Sequence, residues 1–211
     1  MVRKTREDAQ DTRDRILDAA ILLFEKQGVS KVSLDAIARQ AGVTRGAIYW
    51  HFQDKTALFS AMIERVVCPL KIFREDNLAF MERDPLEFLR ATTREFLEKI
   101  AHDANFRRIF EIMWHKCEYV GDMVEIRRKY IEEGESHIDV IQKAFSLARE
   151  KNQIFFAMTP REAAFGLVSL VDGMIFNWTK NHASLAECRN WQCLLDVFFR
   201  GLSEQTVSCA R

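Results

Sequence analysis

Turn-forming residues are scarce, with eight glycines and three prolines in 211 residues. So few of either argues against a turn-rich sandwich or barrel and against a flexible linker. Cysteine builds no framework. Cys68, Cys117, Cys188, Cys193 and Cys209 make an odd five, with no CxxC and no zinc-finger spacing. Buried or idle thiols in a reducing compartment are expected, and no metal site. No apolar run approaches the roughly 18 residues that a membrane helix needs, and the polar start MVRKTREDAQDTRDR leads into no signal-type stretch. A cytoplasmic protein without membrane contact is the expectation. Net charge is missing as well, since 31 Lys and Arg balance 31 Asp and Glu. Bulk electrostatics therefore give no hint of a nucleic-acid partner.

What the sequence does have is helical periodicity nearly everywhere. From Thr12, the residues Ile16, Ala19, Ala20, Leu23 and Phe24 form one apolar stripe, and Gly28 stops it. Ser33 caps a short helix bearing Leu34, Ile37, Ala38 and Ala41, which Gly42 ends. Thr44 caps a third helix, about Arg45 to His51, closed by Phe52. Asp54 caps a fourth, from Lys55 to about Val67, which Pro69 should end or kink. Asp84-Pro85-Leu86-Glu87 and Thr159-Pro160-Arg161-Glu162 are strong helix starts. The second opens a helix reaching Lys180. Between them lie a helix near Asn105 and a long one from about Asp122 to Glu150. A last helix holds Trp191, Leu194, Leu195, Phe198 and Leu202 at core spacing. The run Gln153 to Met158 reads as loop. The expectation is an all-α fold of about nine helices, divided into residues 1–55 and 56–211.

The informative segment is the first 52 residues. Helix, tight glycine turn and short helix is the layout of a helix-turn-helix reader. Val43, Ile48 and Phe52 can plug the junction behind it. That leaves Arg45, Gly46, Tyr49, Trp50 and His51 on a helix two turns long. Tyr49, Trp50 and His51 point in three directions at 100° per residue, so one core cannot hold them all. A phosphate backbone with its sugars and thymine methyls could cover what stays outside. The plain core reading remains open for the aromatics. Residues 1–55 hold ten Lys and Arg against eight Asp and Glu. Arg3, Lys4 and Arg6 lie on a terminal arm, and Arg39, Arg45 and Lys55 surround the reader.

The stretch TRDRILDAAILLFEKQGVSKVSLDAIARQAGVTRGAIYWHFQDKTALFS, residues 12–60, resembles the N-terminal domain of the TetR family of transcriptional repressors. VTRGAIYWHF followed by a lysine is specific to that family. RKTREDAQDTR and EIMWHKCEY (Glu111 to Tyr119) are similar to its AcrR-like branch, whose members often repress multidrug efflux pumps. The resemblance implies an all-helical homodimer, an operator-binding N-terminal domain, and a C-terminal domain whose small-molecule effector releases DNA. Carried over by position, its DNA contacts fall on Thr44, Arg45, Tyr49, Trp50, His51 and Lys55. Arg45 can fork onto guanine O6 and N7 of a pseudo-palindromic double-stranded operator. Tyr49 and His51 can bond phosphate oxygens, and Lys55 is a point charge for phosphate. Thr44 presents a hydroxyl and a helix N-terminus to phosphate; Ser33 repeats this one helix earlier. Gly46 permits close backbone approach, or is simply a packing glycine.

The helix from Arg161 to Lys180 is apolar almost all round, so one face is expected against its own domain and another against a partner subunit. With the Trp191–Leu202 helix it would form half of a four-helix interface, as the resemblance implies. For an effector pocket, the expected polar groups are Thr92, Thr93, His137 and Asp172, set in apolar faces. The aromatics Phe96, Phe110, Trp114 and Phe176 join them, with Val67, Leu89, Met113, Ile141, Val168 and Ile175. Aromatic faces with a carboxylate favour flat apolar or cationic ligands. For any single aromatic, ordinary core packing is the competing reading. Two other functions stay open at this point. A metal- or thiol-dependent helical hydrolase lacks GxSxG, HExxH, a P-loop and GxGxxG. A protein-binding adaptor would use Tyr49 and Trp50 as interface anchors. Cofactors are not expected, and Cys117 is a candidate redox switch.

Overall fold

The computed structural model describes the backbone of residues 2–155, 158–181 and 190–203, and their side chains except those of 2–5 and 67–76. Among the described residues there are ten α-helices, one π-turn and no strand. They are α1 (Val2–Gln27), α2 (Leu34–Ala41), α3 (Arg45–His51), α4 (Lys55–Asp76), α5 (Leu78–Arg83), α6 (Pro85–His102), α7 (Ala104–Glu111), the π-turn (Ile112–Lys116), α8 (Met123–Glu150), α9 (Pro160–Lys180) and α10 (Trp191–Ser203). The all-α expectation holds. The chain forms two compact units, residues 1–69 with 104–128, and residues 70–103 with 129–211.

In the first unit, the stripe of α1 supplies the core. Ile16, Leu17, Ala20 and Phe24 are buried, and Phe24 meets Phe59 of α4 edge-on at 6.1 Å. Gly28 leaves the helix at φ +82, and the next amide, of Val29, donates to the Lys116 carbonyl at 2.9 Å. The turn between α2 and α3 is a Schellman motif. Gly42 sits at φ +66, its amide donates to the Arg39 carbonyl, and the Val43 amide donates to the Ala38 carbonyl. Arg15 locks this turn to α1 by donating to the Ala41 carbonyl at 2.6 Å. Arg65 of α4 spans Asp14 and Asp18 of α1. Burial works against the Asp14 carboxylate, but bonds from Arg65 and Gln10 and the nearby guanidinium charges outweigh it and hold its pKa below the usual value.

In the second unit, the two sequence-legible starts form as expected. Asp84 accepts from the Glu87 amide with Pro85 at the first helical position, and Thr159 and Glu162 complete a capping box. Gln153 lies outside helix, accepts from the Leu86 amide and donates to Asp84, so the loop read at 153–158 helps to cap α6. Trp178 of α9 meets Trp191 of α10 edge-on at 6.0 Å. Arg90 of α6 lies 4.8 Å above the Phe199 ring and pairs with Asp196 of α10.

Four features differ from the sequence reading. α1 begins at Val2 rather than Thr12, so the basic arm is helical; its residues are good helix formers without an apolar stripe to reveal them. The side chains of Arg3 and Lys4 lie outside the described residues. α4 runs past Pro69 to Asp76, because a proline removes one backbone bond while the turns on either side can continue. The short α5 starts at Asn77 without a side-chain cap, so no sequence signal marks it. The helix read from near Asn105 through Trp114 changes to a π-turn at Ile112, so Met113 and Trp114 lie on that turn.

Candidate nucleic-acid interface

α3 divides its residues sharply. Ile48 and the closing Phe52 are buried, while Arg45, Tyr49 and Trp50 have 71, 45 and 73% of their surface open. A 3.6-residue period places 48 and 52 on one face and turns 49 and 50 away from it, while Arg45 is open as the first residue of the helix. Thr44 accepts from the Ala47 amide at 3.1 Å and Ser33 from the Ala36 amide at 3.2 Å. Both hydroxyls therefore cap their helices by their lone pairs, and the O–H stays available to donate outward. Gly46 is exposed, and a Cβ there would meet nothing closer than the Thr44 hydroxyl at 3.9 Å. Packing does not demand a glycine at this place.

His51 is half-buried, with its ring edge-on to Trp50 at 4.5 Å. Burial, aided by the charge of Arg13, holds its pKa below the usual histidine value. The ring is therefore neutral at pH 7 and offers one N–H donor. Arg13 itself stands over the Phe52 ring at 5.3 Å. Lys55 is placed differently from the expectation. Its ammonium donates to the carbonyls of Val29, Ser30 and Val32 at 2.9, 3.2 and 3.1 Å. Those bonds use all three ammonium donors. Lys55 thus organises the α1–α2 loop beside the reader, and its charge acts from there rather than through a free ammonium.

Sequence reasoning missed Asp35. It lies on α2 and pairs with Arg45 at 3.2 Å, across the turn. No helical period links positions ten apart across a turn, so only a three-dimensional arrangement could reveal the contact.

The expected effector residues distribute over both units. In the first, Phe110 and Met113 are buried, Trp114 is half-buried, and Phe106, Phe110 and Trp114 form a ring ladder with both spacings 5.7 Å. The side chain of Val67 lies outside the described residues. In the second, Leu89, Ile141 and Ile175 are buried, and Thr93, Phe96 and Val168 are half-buried. Thr92 is half-buried too, but its hydroxyl is turned onto the Phe88 and Leu89 carbonyls of its own helix. Three residues expected inside an apolar cavity are exposed instead: His137, Asp172 and Phe176. His137 follows Glu132, Glu135 and Ser136 on the solvent side of α8. Asp172 shares the outer face of α9 with Phe165 and Phe176. Crowding by that face pushes its carboxyl up to about 6. Two surface grooves of about 460 Å³ each, one on α6 and one along α9 and α10, contain none of the expected effector residues.

Cys117 and Cys193 are free thiols. Burial first, then the Glu118 charge, pushes the Cys117 thiol up to about 11. A thiol so protonated at neutral pH is a poor redox switch. Among the described residues no cluster of His, Cys, Asp and Glu could hold a metal, and no helix is long and apolar enough to cross a membrane.

The same segments carry the likeness to known proteins. Residues 16–62 match the family model for bacterial regulatory proteins of the tetR family, and residues 84–203 match that for the C-terminal region of MAATS-type transcriptional repressors. The chain is 38% identical to the HTH-type transcriptional regulator AcrR of Shigella flexneri over 84% of its own length and 83% of that protein. It is 37% identical to the regulator TtgR of Pseudomonas putida, over 84% and 85%. Among solved structures it is similar to NalD of Pseudomonas aeruginosa, a secondary repressor of the MexAB-OprM multidrug efflux pump. That match has a TM-score of 0.80 and 33% identity over 93% of this chain and 98% of that one.

Proposed function

The chain belongs to the TetR family of bacterial transcriptional regulators, and from that premise we propose a homodimeric repressor of a multidrug efflux operon, released from its operator by a small apolar or cationic compound. It is a regulator and not an enzyme. The observation that carries the DNA-reading part is the division of α3. One face is locked into the core, and the other holds Arg45, Tyr49 and Trp50 open to solvent between two capped helix starts. Exposed aromatics flanked by donors suit a phosphate backbone and base edges better than they suit water.

In this reading Arg45 reads guanine, and Tyr49, Trp50, neutral His51 and the hydroxyls of Thr44 and Ser33 hold the backbone. Gly46 lets the groove come close, and Lys55 fixes the loop behind. The effector set is proposed from Leu89, Thr93, Phe96, Ile141, Val168 and Ile175 of the second unit, which combine aromatic and aliphatic walls with a hydroxyl. Release is linkage: a compound that binds only the DNA-incompetent arrangement weakens operator affinity by its differential affinity. α4 begins beside the reader and continues into the second unit, so its tilt is the proposed moving part.

Selection of bound duplexes from a random pool tests this. The expected product is a pseudo-palindrome with half-sites about 34 Å apart, lost on adding flat cationic or apolar compounds. Equal binding of random and selected duplexes at moderate salt would overturn the repressor reading. Selection that no such compound weakens would overturn the release mechanism alone.

A further inference from the structure

We propose that Asp35 is a positioning residue for base reading: it holds Arg45 by its Nε so that the outer fork of the guanidinium is presented to a guanine. The inference rests on α3 being the DNA reader and adds a residue that sets its specificity. The contact joins Arg45 Nε to Asp35 Oδ1 at 3.2 Å. The contact is one of charge and not a hydrogen bond; with the Nε edge drawn to the carboxylate, both terminal amino groups lie at the far end of the plane, a pair that can bond guanine O6 and N7 together. The Arg45 side chain is 71% exposed, so packing does little to fix its several rotatable bonds. Two contacts define its direction, Asp35 on one side and the Tyr49 ring 5.7 Å away on the other.

An exposed ion pair alone would be weak evidence. Here, however, Oδ1 of Asp35 is buried and accepts no hydrogen bond. A buried carboxylate oxygen without a hydrogen bond needs a nearby positive charge, and Arg45 provides it. The two helices are fixed to each other by the Schellman turn and by Arg15 on the Ala41 carbonyl. The carboxylate therefore stands in one place relative to α3. A wandering arginine would find phosphates on any sequence; a held one finds its guanine or pays the cost of turning away. Asp35 also repels the phosphates of a misaligned duplex, which lowers affinity for random DNA.

The test measures binding to the selected operator, to the operator with the Arg45-contacted base pair replaced, and to a random duplex. The proteins are wild type, Asp35→Asn, Arg45→Ala and the double variant. In the wild type the base change is expected to cost about 10- to 100-fold. Asp35→Asn is expected to shrink that penalty to about threefold or less, and to tighten random-duplex binding. In the Arg45→Ala background, Asp35→Asn is expected to leave discrimination unchanged. Asp35→Ser, well accepted near a helix start, gives the same readout should the asparagine fold poorly. A merely structural role would weaken all duplexes equally and keep the discrimination ratio, and that result overturns the proposal. An unchanged effect of Asp35→Asn without Arg45 overturns it too. A wild type that selects no sequence removes the reader itself, whereas selection without coupling between the two positions removes only this inference.

Discussion

Two helical faces leave large apolar side chains in water, and they do so in opposite company. On α3, Tyr49 and Trp50 stand among Arg45, His51 and two capping hydroxyls. On α9 and α10, Phe165, Phe176, Leu194 and Val197 stand open, and Asp172 shares the outer side of α9 with the two phenylalanines. The first mixture suits a charged polymer, which needs donors as much as flat rings. The second suits a protein face of its own kind, where apolar area is the main attraction and a titratable group is tolerated only when neutral or paired. The apolar-all-round pattern of α9 is thus resolved into a buried side, with Ala163, Leu167, Met174 and Trp178, and an outer side.

That contrast is broken most severely by charging the outer side. The pair Phe165→Glu and Val197→Glu is expected to convert a dimer into a 24.6 kDa monomer in sedimentation experiments, with each chain still helical. Phe165 and Val197 are 65 and 69% exposed, so a lone chain loses little by the change. Operator affinity should fall by about 100-fold or more, because two linked half-site contacts become independent ones. A doubly charged variant that stays dimeric and keeps its operator would place the subunit contact elsewhere.

The next expected effect separates the two sides of α3. Trp50→Ala removes an open ring and should weaken operator binding by about 10- to 100-fold with an unchanged melting temperature. Ile48→Ala empties a fully buried position and should destabilise the fold by about 2–5 kcal/mol. Thermal melts beside binding titrations check both. A large melting shift for Trp50→Ala would put that ring in a core role instead.

The same division shows what a sequence can disclose. Helix starts with caps were readable because the cap, N1 proline and N3 glutamate lie within four residues, as at Asp84 and Thr159. The reader was readable because adjacent Tyr49, Trp50 and His51 cannot share one side. The first turns of α1 and the short α5 were not, since neither carries an apolar stripe or a side-chain cap. Polar residues were the hardest. His137, Asp172 and Thr92 looked embedded because apolar residues stand three or four positions away on the same helix, yet α8 and α9 turn two of them outward and Thr92 bonds its own helix. Lys55 looked free for phosphate, but three loop carbonyls 23 to 26 positions earlier take it up. Asp35 fits the same rule: a contact across a turn leaves no periodic trace.

The smallest expected effect sharpens the contrast by pH. Asp172 is exposed, but the apolar side chains crowding its carboxyl keep part of its water away and push it up to about 6, against an ordinary value of 3.8. The folded chain therefore holds a proton that the unfolded chain releases, so this group favours the fold below about 4 and the benefit fades as pH rises through 6. Further burial by a partner subunit would push in the same direction. Asp172→Asn should remove that slope, leaving the melting temperature between pH 4.5 and 7 flatter than in the wild type and slightly higher at pH 7. Because the residue is exposed, the gain should be a degree or two at most, roughly the surface-mutation scale. The reader contributes a slope of the opposite sign, since His51, held below the usual histidine value, loses stability as pH falls; that slope is common to the wild type and Asp172→Asn and cancels in their difference. A wild type whose melting temperature keeps rising through pH 6, with Asp172→Asn parallel to it, would mean that the carboxylate is ionised and well solvated. The outer face of α9 would then tolerate charge as α3 does.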